Sequence, residues 1–175
     1  ATSGKGPDCV VMNVTIRSMK LHGGAFGSRG GYRTSKEELE TENVDAVATG
    51  AATNLDRHIR NMAGFGVPVI VSINKFTSDT DAEIKVLSDA AHASGAIAVT
   101  ITEVHAKGGE GGEDLAKAVV KAVQDHVAAG RPFTPLFVND APVMDKITAI
   151  ATRMYKAKDV YLETTAKKQL EKIVS

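Results

Sequence analysis

The sequence predicts an α/β fold of three layers, a mostly parallel sheet with flanking helices, followed by a proline-containing connection and short helices. Two observations carry this. Three short apolar runs rich in β-branched residues recur, each followed by a polar or glycine-containing turn and then a segment of helical period. The runs are continuous rather than alternating, as strands covered on both faces are. A β-α-β-α-β-α rhythm of this kind implies right-handed crossovers.

The elements follow in order. "DCVVMNVTI", Asp8 to Ile16, reads as the first strand. A helix is expected to start at Ser35, a capping residue with Glu38 three positions on. Val44, Val47, Ala51, Leu55 and Ile59 continue it at helical spacing, and Gly64 and Gly66 end it. "VPVIVSIN", Val67 to Asn74, is the second strand. A helix from about Asp81 turns Ile84, Leu87 and Ala91 inward and stops at Gly95. "AIAVTIT", Ala96 to Thr102, is the third strand, and "EDLAKAVVKAVQDHVAAG" the next amphipathic helix. After Gly130, "RPFTPLFVNDAPV" holds three of the five prolines and reads as an extended connection. "MDKITAIATRMY" and "TTAKKQLEKIV" read as two short helices. Residues 1–130 are thus expected to form the α/β core and 131–175 the connection with its helices. Three strands are few for a doubly wound sheet, so an edge or apolar surface is expected to be exposed.

Composition narrows the function classes. Of 175 residues, 43% are apolar and 24% charged, an ordinary globular balance. Lys plus Arg and Asp plus Glu both total 21, so no basic footprint for nucleic acid is expected. The lone Cys9 leaves no intramolecular disulfide and fits a reducing compartment, so a cytoplasmic location is expected. No apolar run approaches the ~18–20 residues of a membrane span, and no signal-peptide core is visible at the start.

Ligands of open parallel sheets sit where the strands' carboxyl ends meet loops and helix amino-termini. Three polar stretches meet that condition: "RSMKLHGG", "NKFTSDT" and "EVHAKGGEGG". In the last, glycines allow close backbone approach to an anion, or form only a flexible turn. It does not match the G-x-x-x-x-G-K-[ST] phosphate loop, because Lys107 precedes the glycines. "INKFTSDT" places Asn74 and Lys75 at a strand end, with Asp79 five residues past Asn74. An amide donates and accepts at once, as reading a base edge requires, although Asn and Asp are also common turn residues. Phe76 sits in a polar loop and needs a partner, either the core or a flat ligand ring. Arg17, Lys20 and His22 precede two glycines, as candidate anion-binding cations or as a solvated face. His58, His92 and His126 fall on expected helices with no ligand spacing, so no metal site is expected. No G-x-G-x-x-G follows a strand, which sets aside a dinucleotide fold, and residue order alone assigns no catalytic group.

In succession, "PDCVVMNVTIRSMKLHGG", "ENVDAVATGAATNLDRHIRN", "FGVPVIVSINKFTSDTDAEI", "VHAKGGEGGEDLAKAVV" and "VMDKITAIATRMYKAKDV" resemble formate–tetrahydrofolate ligase, also called 10-formyltetrahydrofolate synthetase. The similarity covers nearly the whole chain and corresponds to an internal portion of the family's longer polypeptide. It implies a partial nucleotide-binding core from an enzyme that joins formate to tetrahydrofolate with ATP and magnesium, through formyl phosphate. It also implies that the phosphate loop lies upstream, in sequence outside this chain. Phe76 matches an aromatic that helps sandwich the pterin ring, and the usual proline after it is here Thr77. His105 stands where a tryptophan usually forms the opposing wall; imidazole offers less stacking area than indole. Asn74, Lys107, Gly108, Gly109 and Gly111 match loops near the nucleotide, and Arg17 and Lys20 match without an assigned role.

The resemblance leaves two functional readings. In one, the chain is part of a working ligase, inactive alone, that needs the remaining ligase segments or a companion subunit in a homo- or hetero-oligomer. In the other, it is a non-catalytic binding or interaction module that keeps the ligase-like fold.

Overall fold

The computed structural model describes residues 5–24 and 35–174. Gly6–Phe133 forms one compact unit, and the residues from Thr134 onward belong to a second. In the first, strands β1 (Val10–Val14), β2 (Val69–Asn74) and β3 (Ala98–Thr102) form one parallel sheet in the order β1-β2-β3. The register sets Val14 against Ile73, and Asn74 against Thr102, so all three carboxyl ends finish level. β1 is shorter than its apolar run at both ends, whereas β2 and β3 start two residues late and end where expected, at Asn74 and Thr102.

Helices α1 (Ile16–His22), α2 (Lys36–Glu40), α3 (Val44–Gly50), α4 (Asp56–Ala63) and α5 (Asp81–Ala93) follow, with a π-helical turn (Ala51–Leu55) between α3 and α4. Beyond β3 come a single turn, α6 (Val104–Lys107), a 3₁₀ turn (Gly108–Gly112) and α7 (Glu113–Ala128). Val69, Val71 and Ile73 of β2 pack with Val47, Leu55, Ile59, Ile84 and Leu87, which makes the main core. Strand alternation sends Ile70 and Ser72 to the opposite face, where α7 packs against β2 and β3. That helix does not extend over β1, whose Val11 stays 43% exposed. Ile97 and Ile101 are likewise exposed at the β3 edge, so both sheet margins carry bare apolar side chains.

Two expectations are corrected. "RSMKLHGG" is helix, not loop. Thr15 ends the strand and makes a reciprocal capping box with Ser18, which starts α1 one residue later. The single helix expected from Ser35 to Gly64 breaks after α2. The Asn43 side chain accepts from Ala46 N–H and starts α3 afresh. Lys20 Nζ meanwhile takes the carbonyls of Leu39 and Thr41 at 3.0 and 2.8 Å, filling acceptors that a continuous helix would have used.

Lys20 and Glu83 are fully buried and paired at 2.7 Å. Glu83 Oε1 also accepts from Asn43 N–H, and Oε2 from Thr80 N–H in the capping box of α5. One pair therefore joins α1, the α2–α3 break and α5. Above it, α1 and α3 approach closely enough that a Cβ on Gly23 would lie 1.9 Å from Ala46 O, and one on Gly50 2.0 Å from Met19 O. Glycine is required at both places by space.

In the second unit, α8 (Val143–Ala149) runs through a π-helical turn (Ile150–Met154), and α9 (Thr164–Val174) ends the described chain. Arg153 donates to Leu136 O at 2.7 Å and Lys146 to Asn139 O, tying the proline-containing connection to this helix.

Removing one member of the buried pair, as in Lys20→Met, is expected to cost ~3–5 kcal/mol, because it leaves a buried charge alone. Urea denaturation should show the double variant Lys20→Met/Glu83→Leu recovering much of that loss. Gly50→Ala is expected to cost at least ~1–3 kcal/mol by overpacking, read as a lower urea midpoint at unchanged slope.

Candidate functional site

The three stretches singled out in the sequence converge at the carboxyl end of the sheet. The second meets the end of β3, immediately before the third, through Lys75 N–H donating to Thr102 O at 3.0 Å. Beneath that contact, the buried hydroxyls of Ser72 and Thr102 bond to each other at 3.1 Å. The first and second are joined through Arg17. Its guanidinium lies over the Phe76 ring with Cζ 4.5 Å from the centroid, a cation–π contact. Its Nη2 donates to Glu40 Oε1 at 2.9 Å and to Ser78 Oγ at 3.4 Å.

The turn after β2 is closed from both directions. Asp79 Oδ2 accepts from Phe76 N–H at 2.8 Å, and Asp79 N–H donates to Phe76 O at 3.1 Å. Asp79 is thus spent on its own turn rather than held out toward a base. Its other oxygen, Oδ1, is buried without a partner, as is Arg17 Nε. Burial pushes the Asp79 carboxyl above its ordinary range, and neighbouring Glu83 adds to this; the Phe76 N–H bond and the Arg17 and Lys20 charges only partly offset them. Phe76 is half-buried, neither sealed in the core nor fully exposed. Asn74 ends β2, and no partner for its amide is found among the described residues.

The glycine-rich stretch is folded. Glu103 N–H donates to Gly111 O at 3.0 Å, and a Cβ on Gly111 would lie 2.6 Å from the Glu103 carbonyl. Gly111 therefore serves close backbone packing. Gly108 has φ +61°, the left-handed conformation that glycine adopts freely, and nothing lies within 4 Å of a Cβ at Gly108 or Gly109. Those two residues present open backbone. Lys107 is paired with Glu103 at 2.5 Å. That hydrogen bond, with the attraction between the charges, raises the lysine and lowers the carboxyl. His105 is exposed on α6. Lys20, considered as an anion-binding cation, has all three donors committed inside the fold and none left for a ligand. Glu40 and Ser78, which hold Arg17, carried no signal in the sequence. Glu103 did, through its i,i+4 spacing from Lys107.

Among the described residues no cluster of His, Cys, Asp and Glu could hold a metal, and no helix is long and apolar enough to cross a membrane. The fold and site define a parallel α/β domain with polar segments meeting at the carboxyl edge of its sheet. The sequence profile of formate–tetrahydrofolate ligases matches residues 1–175, and the chain belongs to that family. It is 41% identical over 171 residues to a formate–tetrahydrofolate ligase from Granulibacter bethesdensis. The match covers 98% of this chain and 27% of that relative, so the chain spans about a quarter of the relative's length.

Asp79 and Glu83 make opposite contributions to acid stability. Burial raises the Glu83 carboxyl, but hydrogen bonds from Lys20, Asn43 and Thr80 outweigh it and hold it low. Its contribution is full above the unfolded carboxylate pKa of about 4.3 and is lost as pH falls through the lower folded value. Asp79, held high, costs stability at neutral pH, a cost relieved as pH falls through its folded value. Asp79→Asn is therefore expected to gain on the unmodified chain as pH rises from about 4 to 7, in urea denaturation series at fixed salt. A gap that does not change with pH would show that Asp79 is not raised.

Proposed function

We propose that this chain is the part of a formate–tetrahydrofolate ligase that carries the folate platform and the nucleotide-edge loops. The meeting of three separate stretches at one sheet edge, one of them carrying Phe76 with Arg17 over its ring, supports this reading most directly. Phe76 offers a half-buried ring for the pterin, and His105 on α6 offers a second, smaller wall. The Asn74 amide, Lys107 and the open backbone at Gly108 and Gly109 lie on the side for the nucleotide, with Gly111 fixing their loop. Lys107 would have to leave Glu103 to reach a phosphate. That exchange is inexpensive, because the pair lies at the surface, with the lysine exposed and the carboxylate a third accessible.

ATP with magnesium supplies the activation of formate as formyl phosphate in this reading. The residues here bind and orient, and other segments of the ligase or a companion subunit supply the phosphate loop. The assembled enzyme is a cytoplasmic oligomer in this reading, and the isolated chain is inactive.

Titration of tetrahydrofolate into the chain, followed by saturation-transfer NMR, tests the platform. The chain is expected to bind weakly, in the millimolar range, because much of the cleft is elsewhere. Phe76→Ala is expected to weaken binding about tenfold, the scale of losing an aromatic stack of ~1.4 kcal/mol. Equal binding by both proteins would remove Phe76 from the site. Absent binding to both tetrahydrofolate and ATP would favour a non-catalytic module.

A further inference from the structure

Resting on the folate reading above, we infer that Arg17 is a positioning residue for the platform: it closes one face of the Phe76 ring and leaves the other for the ligand. Arg17 is firmly held. It lies in the first turn of α1, one residue after the fully buried Ile16 and two after the capping Thr15. Its guanidinium is fastened to Glu40 and Ser78 while its carbon lies 4.5 Å over the ring. Phe76 is fixed independently at its backbone, where the Asp79 carboxylate grips its N–H and the turn closes on its carbonyl. The ring is thus pinned at both its root and one face.

Two consequences follow. A flat ligand can stack on Phe76 only from the side away from Arg17, which orders the layers as guanidinium, phenyl ring, ligand ring. A ring already immobilised also spares the ligand the cost of ordering it, a difference of about three- to tenfold in affinity for one side chain. Arg17 need not touch the ligand to have this effect. Its geometry, planar and bonded at the rim while stacked at the centre, is one that a lysine cannot reproduce.

The test is the same tetrahydrofolate titration of the full chain, with Arg17→Met, Arg17→Lys and Phe76→Ala measured together and melting temperatures recorded. Both Arg17 variants are expected to bind about three- to tenfold more weakly while melting close to the unmodified chain. A purely structural role for Arg17 would instead lower the melting temperature along with the affinity, which would overturn the inference. So would unmodified affinity in Arg17→Met, or full rescue in Arg17→Lys, which would make charge alone sufficient. If Phe76→Ala weakens binding and the Arg17 variants do not, the folate reading stands and only the role of Arg17 falls. If Phe76→Ala has no effect, both fall together.

Discussion

The carboxyl edge of this sheet depends on one buried ion pair. Lys20 and Glu83 are both inaccessible to solvent, and the desolvation of two such charges is tolerable only when every donor and acceptor finds a partner. Here the lysine's three donors meet Glu83, Leu39 O and Thr41 O, and the carboxylate also takes the N–H groups of Asn43 and Thr80. The pair and its partners thus belong to three separate segments, α1, the α2–α3 break and the start of α5. Their common attachment holds α1 in place and fixes where α2 stops and where α3 and α5 start, the scaffold beneath the three stretches. The pair contributes through arrangement more than through net energy, since a well-packed apolar substitute can be as stable.

From this centre, polarity is graded outward. Glu83 is held ionised by its hydrogen bonds, and its charge helps raise Asp79. Asp79 keeps one buried oxygen unpaired while its other oxygen closes the Phe76 turn. Arg17 stands next, with one buried nitrogen unpaired and the rest of its head in contact with Glu40, Ser78 and the ring. Unsatisfied buried groups cost on the order of 1–3 kcal/mol each, so two of them beside one aromatic mark the least relaxed part of the fold.

Much of this architecture was legible in the sequence. The three apolar runs became the three parallel strands, and the Thr80–Glu83 capping box could be read from spacing in "TDAE". The break after α2 could not. Ser35 to Gly64 has an unbroken helical period, and what interrupts it is a lysine from another segment competing for its carbonyls. Lys20 itself reads as a surface cation beside Arg17 and His22, because its partner lies 63 residues away in a helix of ordinary composition. The start of α1 was obscured differently: the β-branched run continues through Thr15 and Ile16, and only the cap decides that the strand ends first.

The glycine-rich stretch shows why composition alone left its role open. Its glycines serve distinct physical ends that the letter G does not separate. Gly111 is there because the Glu103 backbone passes too close for a Cβ, so it shapes the loop from within. Gly108 is there because the chain turns through positive φ between α6 and the 3₁₀ turn. Gly109 meets neither condition, having open space around it and no left-handed backbone. A residue whose local structure does not require glycine is the one where glycine most directly serves close approach from outside. By that reasoning the open part of the loop narrows to the backbone around Gly109, between a lysine already paired to Glu103 and a glycine already locked against the Glu103 backbone.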